Sequence, residues 1–286
     1  MKKLVVLLLF IPIISIAQKV NKKLQLQVEE LVKGFEGDIG IYIKSLKTGK
    51  IVAINADTIF PTASIVKVPI LIGIMDKINK GELSYTQEFA YNDSVKYKGD
   101  EGLMATTKDS TKIELSHIMM LMLTLSDNTA SLWLQAIAGT GTLINTIMDE
   151  NGFVNTKVNS RTVGREQIRN QYGWGNTTPK EMATIFEQLY NGKIINDSAS
   201  KKMIRLLGRN FWDEEAISVI PVTTFVASKN GAIDATRNEI LLVMAKEPYI
   251  LSIFTKNNKD KSWKSTNEAW VLTRKISNLL VETFNK

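Results

Sequence analysis

Phe60-Pro61-Thr62-Ala63-Ser64-Ile65-Val66-Lys67-Val68-Pro69-Ile70-Leu71-Ile72-Gly73-Ile74 is the stretch that decides how this chain folds. It is almost wholly apolar, which predicts a helix buried on all sides. Ser64 and Lys67 interrupt it three residues apart, so on a helix the hydroxyl and the amine share a face and can meet. A serine hydroxyl is a poor nucleophile until a base takes its proton, and a lysine serves when its surroundings disfavour the ammonium form. Ile65, Val66, Val68, Ile70 and Leu71 supply such low-dielectric surroundings. The start of the helix also brings backbone N–H groups close to Ser64. Ser198 and Lys201 repeat the spacing, but in a polar stretch with no apolar support.

On the N-terminal side, Asp38–Lys44 alternates apolar and polar residues and is rich in β-branched side chains, which predicts a strand. Lys47-Thr48-Gly49 reads as a turn, and Ile51–Asn55 as the strand that pairs back. On the C-terminal side helical signals dominate from about Glu82 to Glu214, with helices expected at Thr111–Leu125 and Thr129–Ala138. Thr178 caps a further helix through Tyr190, with Pro179 in its first turn. Strand signals return at Thr223–Ser228, Glu239–Ala245 and Tyr249–Thr255, and Thr266–Phe284 is a closing amphipathic helix. Strands from both ends can join into one sheet, so the expected fold is α/β (α+β): a mainly antiparallel five-stranded sheet flanked by helices, with an all-helical second region. The expected domain is a single one over 18–286, with its sheet region at 23–60 and 216–286 and its helical region at 61–215.

Residues 1–17 stand apart. Lys2 and Lys3 precede a short apolar run from Leu4 to Ile14, and Ser15 and Ala17 occupy the small-residue positions of a cleavage site. This is the pattern of a secretory signal peptide cut after Ala17, which implies a periplasmic or secreted protein without stable membrane insertion after cleavage. Removing it takes two lysines and lowers the net charge from +7 to +5. That charge is spread along the chain, so a solvated surface is expected and nucleic-acid binding is not. The densest cluster, Lys256–Lys264, is interrupted by Asp260 and reads as a surface loop. The chain has no Cys, which excludes disulfides, a thiolate nucleophile and thiolate metal ligands. Its one histidine, His117, lies in an apolar helical run and reads as a packing residue, so neither a His-rich metal site nor a Ser-His-Asp triad is expected. Nothing calls for a metal or an organic cofactor, and a monomer is expected.

Two later motifs carry polar chemistry. Ser126-Asp127-Asn128 falls where a strongly apolar helix stops. It reads either as a helix end with a cap for the next helix or as part of a polar site. Lys229-Asn230-Gly231-Ala232 closes a strand-like run. It reads either as a plain turn or as a place where a substrate lies against a glycine backbone beside a positive charge.

Taken in order, S-x-x-K, S-D-N and K-x-G resemble the motif set of class A β-lactamases and penicillin-binding proteins, whose third member is K-T-G. Phe60–Pro69 is similar to that family's nucleophile segment, and Ser126–Ala130 to its second motif and the following helix. The resemblance extends from about residue 27 to the C-terminus. The literal Lys47-Thr48-Gly49 precedes the nucleophile and fits a hairpin turn instead.

The resemblance implies that Ser64 attacks a carbonyl to form an acyl-enzyme, that Lys67 helps take its proton, and that Ser126, bridged to Lys67 and Lys229, passes a proton to the leaving nitrogen. Asn128 would hold a substrate amide, and the backbone N–H groups of Ser64 and Ala232 would form an oxyanion hole beside Gly231. Glu166, with Asn170 four residues on, matches the family's deacylating base, in a loop that resembles a shortened form of the family's and lacks its usual Arg and Asp brace. Asn230 departs from the family's Thr or Ser, and Arg237 is the candidate to bind a substrate carboxylate in its stead. The implied activity is hydrolysis of β-lactams, cyclic amides that are small-molecule substrates. The alternatives are a D-Ala-D-Ala peptidase or esterase acting on cell-wall peptides, or a penicillin-binding protein that acylates without efficient turnover.

Overall fold

The computed structural model describes residues 19–99 and 102–285, so the expected leader at 1–17 lies outside the described residues. Helix α1 (Lys22–Val32) precedes strands β1 (Asp38–Ser45) and β2 (Ile51–Ile54), and the short strand β3 (Phe60–Pro61) leads to helix α2 (Lys67–Asn79). Strands β4 (Glu88–Ala90) and β5 (Lys112–Glu114) flank a long loop. Helices α3 (Leu115–Thr124), α4 (Asn128–Ile137) and α5 (Thr140–Glu150) follow, then β6 (Lys157–Val158), α6 (Glu166–Tyr172) and β7 (Gly175–Thr177). Helices α7 (Pro179–Tyr190) and α8 (Asp197–Leu207) lead to β8 (Val226–Ile233), β9 (Thr236–Val243), β10 (Tyr249–Lys256) and the closing helix α9 (Glu268–Phe284).

The main sheet has the order β2-β1-β10-β9-β8, and its pairs are antiparallel. It therefore joins the two ends of the chain, as the strand signals predict. Side chains alternate across a strand, and here the two faces feed two cores. Ile240, Leu242, Ile250 and Phe254 pack with the helical half, whereas Leu241, Val243, Leu251 and Ile253 pack with α1 and α9. All eight residues of β9 are buried, which places it in the middle of the molecule and leaves β8 as the edge strand toward the helices. The helical half also holds two small ribbons, β3-β7-β6 and β4-β5, which the sequence pattern did not signal because their strands are only two or three residues long.

Three local expectations change. The helix expected from Phe60 starts only at Lys67. Phe60 and Pro61 pair with β7, Thr62 N–H donates to Gly175 O, and Ala63–Val66 form a 3₁₀ turn entered through a left-handed Ala63 (φ 46°). Pro69 then falls in the first turn of α2, where its missing N–H costs no helical bond. His117 is not a packing residue: α3 buries Leu115, Ile118, Met119, Met122 and Leu123, a single stripe of helical spacing. His117 lies off that stripe, its side chain is 60% exposed, and its Nδ1 is 3.6 Å from Glu114 Oε1. Third, Lys229-Asn230-Gly231-Ala232 is not a turn. It lies within β8, and the turn to β9 follows at Asp234-Ala235.

Candidate active site

Ser64 sits in the 3₁₀ turn and Lys67 opens α2 just behind it. Three residues make one turn of a 3₁₀ helix, so the two side chains eclipse, and Lys67 Nζ is 3.1 Å from Ser64 Oγ. Lys67 is fully buried. Its nitrogen also donates to Ser126 O at 2.5 Å and to Asn128 Oδ1 at 2.9 Å, and lies 3.0 Å from Ser126 Oγ. One amine thus joins the first two motifs. A buried amine is tolerable only with such partners.

Ser126-Asp127-Asn128 fulfils both readings of its sequence. Asp127 caps α4, its Oδ1 accepting from Ala130 N–H at 2.8 Å, while Oδ2 accepts from Met104 N–H at 2.9 Å and fixes the preceding loop. Ser126, in left-handed backbone (φ 59°), and Asn128 flank that cap and turn toward Lys67. Both Ala63 and Ser126 hold backbone conformations that L-residues seldom adopt, and such strain collects at functional sites.

The third motif approaches through β8. A Cβ on Gly231 would stand 2.6 Å from Thr62 O, 2.9 Å from Ser64 N and 3.1 Å from Ile65 N. Glycine is required here because β8 presses on the nucleophile turn. Lys229, on the same side of β8, is fully buried, and desolvation lowers its pKa to about 7, with Glu239 acting weakly in the opposite sense. Its Nζ donates to Asn230 O at 3.0 Å and to Asn230 Oδ1 at 3.1 Å. The expected Ser126–Lys229 bridge is replaced by these bonds: the Asn side chain, which the family pattern does not have, takes the ammonium.

Ser64, Ser126, Asn128, Asn230, Gly231 and Ala232 line one cleft of about 730 Å³. Glu166 and Asn170 are not among its lining residues. Glu166 opens α6 with an exposed side chain that accepts from Gly164 N–H at 3.2 Å, and Asn170 is exposed on the same helix. The correction has a physical cause: α6 projects both side chains outward, and the loop is held by other contacts. Arg165 Nε donates to Asn159 Oδ1 at 2.6 Å and its Nη2 to Asn176 Oδ1 at 3.1 Å, an Arg–Asn brace in place of an Arg–Asp one. Gly175 lets this loop pack on the nucleophile turn, since a Cβ there would meet Val66, Thr62 Oγ1 and Lys157 O within 2.8 Å.

Arg237 lines the cleft but its guanidinium is committed. Nη1 donates to Asp234 O and Thr236 O, Nη2 to Lys261 O and Ser262 O, and Cζ stands 4.4 and 4.9 Å from the ring centroids of Trp263 and Trp270, which pack against each other. Trp212, Trp263, Trp270, Glu214, Glu215 and Glu239 also line the cleft, and the sequence marks none of them as a candidate. Trp212 and Trp263 lie in polar segments and Trp270 in the closing amphipathic helix, none with a local signal. Glu239 alone left one, a charge two positions from Arg237 at the head of the apolar run Ile240–Val243.

The comparisons with known proteins agree with this geometry. The family model "Beta-lactamase enzyme family" matches residues 23–284. Beta-lactamase VEB-1 of Pseudomonas aeruginosa is 26% identical over 277 residues, covering 91% of this chain and 90% of that protein. Among solved structures, PBP-A superimposes with a TM-score of 0.81 at 20% identity, covering 93% of this chain and 97% of its own. The TLA-1 extended-spectrum β-lactamase gives 0.82 at 15% identity, covering 93% and 99%. A β-lactamase from Chitinophaga pinensis gives 0.82 at 17% identity, covering 91% and 99%.

Proposed function

The chain belongs to the beta-lactamase enzyme family, and from that premise we propose that it opens β-lactam rings through an acyl-enzyme on Ser64. The observation that carries the reading is the position of Lys67 Nζ, within 3.1 Å of Ser64 Oγ and 3.0 Å of Ser126 Oγ. Ser64 Oγ attacks the lactam carbonyl as Lys67 takes its proton. The C–N bond breaks, and Ser126 delivers a proton, replenished from Lys67, to the leaving nitrogen. Asn128 holds the substrate amide. The N–H groups of Ser64 and Ala232 carry the developing oxyanion, where removing one such donor costs on the order of 10²–10³ in rate. Lys229 supplies positive charge to an anionic substrate, which in turn favours its ammonium form. Water then releases the product acid from Ser64. Export belongs to the same proposal, supported by the leader pattern at residues 1–17.

A second reading, slow deacylation, is favoured by Glu166 standing in solvent outside the cleft. The protein would then behave as a penicillin-binding protein that stays acylated; a mutant of PBP-A has been captured as an acyl-enzyme with penicillin G. Steady-state turnover of a chromogenic cephalosporin tests both. Sustained turnover that disappears in Ser64→Ala supports hydrolysis. A single stoichiometric burst supports slow deacylation, and equal turnover in Ser64→Ala overturns the role of Ser64.

A further inference from the structure

The cleft does not end at the nucleophile. It continues past the edge of β8 to the opposite face of the sheet, where β9 looks toward α9. Arg237 and Glu239 lie on that face, two residues apart on β9 with Leu241 and Val243, which pack with α9. Glu239 is 3% exposed. Its Oε2 accepts from Ala216 N–H at 3.1 Å, while its Oε1 is buried with no hydrogen-bond partner among the described residues. A buried acceptor without a partner is costly, and this one lines an open cleft. Two further carboxylates line the same end. Glu215 is engaged by Arg274, and Glu214 is exposed.

The guanidinium that would suit an anionic substituent at this end is occupied. Arg237 has both terminal nitrogens on backbone carbonyls, and only its buried Nε lacks a partner. What remains open is acceptor capacity and aromatic surface, the indole of Trp212 lining the same cleft. Carboxylates beside indole faces are the chemistry that binds an alkylammonium. Burial, with Glu215 and Glu214 nearby, pushes the Glu239 carboxyl up to about 8, so a cation entering the site meets a group that gives up its proton to pair with it.

We propose that this end of the cleft is a specificity subsite for an ammonium group on the substrate, with Glu239 as its principal acceptor and Glu214 as the outer one. The proposal rests on the acyl-enzyme reading for its substrate and names the class within it: β-lactams or related amides that carry an amine on the part lying beyond β8 from Ser64.

Two cephalosporins that differ only in a 3-substituent, one an alkylammonium and the other its neutral isostere, separate the possibilities. The wild type is expected to favour the ammonium compound by at least about tenfold in kcat/KM. Glu239→Gln, which keeps the shape, is expected to bring that ratio within about twofold of unity, and Glu214→Gln to reduce it by about threefold. Equal handling of the two compounds by the wild type, or a preference that survives Glu239→Gln, overturns the subsite. If neither compound reacts, the Ser64 reading has failed separately, and the subsite is read from tryptophan fluorescence during titration with butylammonium. A saturable change in the wild type that is lost in Glu239→Gln supports it; no saturable change, or one unaltered in the variant, overturns it.

Discussion

Gly231→Ala is a sharp test of how the sheet positions the nucleophile. The added methyl would lie 2.6 Å from Thr62 O, and ordinary contact begins at 3.4 Å, so one partner must retreat by about 0.8 Å. All three nearest atoms are backbone, and two of them, Ser64 N and Ile65 N, belong to the nucleophile turn. No side chain can swing aside. The turn is pinned on its other side by Thr62 N–H on Gly175 O, so β8 and the turn must part. A displacement approaching 1 Å between reacting groups costs on the order of 10²-fold in rate, whereas overpacking of this kind destabilises by about 1–3 kcal/mol. The expected result is a fall of about 10²-fold in the acylation rate constant, measured by stopped-flow or quenched mass spectrometry, with a Tm lower by only a few degrees. Acylation within threefold of wild type, in a variant that is folded, would refute the claim that contact between β8 and the turn sets the site.

Three further outcomes follow from the same geometry. Asp127→Ala removes the cap of α4 and the anchor of Met104 together, so thermal denaturation is expected to show a loss of about 1–2 kcal/mol; an unchanged Tm would contradict the dual role. Glu166→Ala is expected to leave both acylation and deacylation within about twofold, because its side chain stands in solvent; an acyl adduct trapped by this substitution would restore Glu166 as the base. Glu239 has a pKa raised from 4.5 to about 8 by burial, with Ala216 N–H and Lys229 acting to lower it and Glu215 and Glu214 to raise it. The folded state therefore binds its proton more tightly than the unfolded chain, and the resulting stabilisation, full below pH 4.5, is lost as pH rises toward 8. Relative to wild type, Glu239→Gln should gain Tm steadily from pH 5 to pH 8; a gap that is flat or narrows over that range would show that the carboxyl is not buried as described.

Much of this architecture was legible because it follows from periodicity and from side-chain chemistry. Alternation in Asp38–Lys44 and the apolar runs at Glu239–Ala245 and Tyr249–Thr255 marked the strands of one sheet, and three short motifs in order marked Ser64, Lys67, Ser126 and Lys229. What was hidden depends on long-range contact. The start of α2 at Lys67 rather than Phe60 is set by pairing with β7, more than a hundred residues away. The outward placement of Glu166 depends on how Arg165 braces its loop on Asn159 and Asn176. Nothing in the sequence around Arg237 shows that Lys261 and Ser262 return to occupy its guanidinium. Glu239 left only a charge at the head of an apolar run, and nothing local showed that a strand buried throughout would carry it to a cleft.

The most direct test of the whole account is the intact mass of the protein after brief exposure to a penicillin, followed by peptide mapping. An increment equal to the whole penicillin, carried by the peptide containing Ser64 and absent from Ser64→Ala, is the expected result. An adduct of the same mass in the Ser64→Ala protein, or wild-type protein that neither gains mass nor consumes the penicillin, would contradict it.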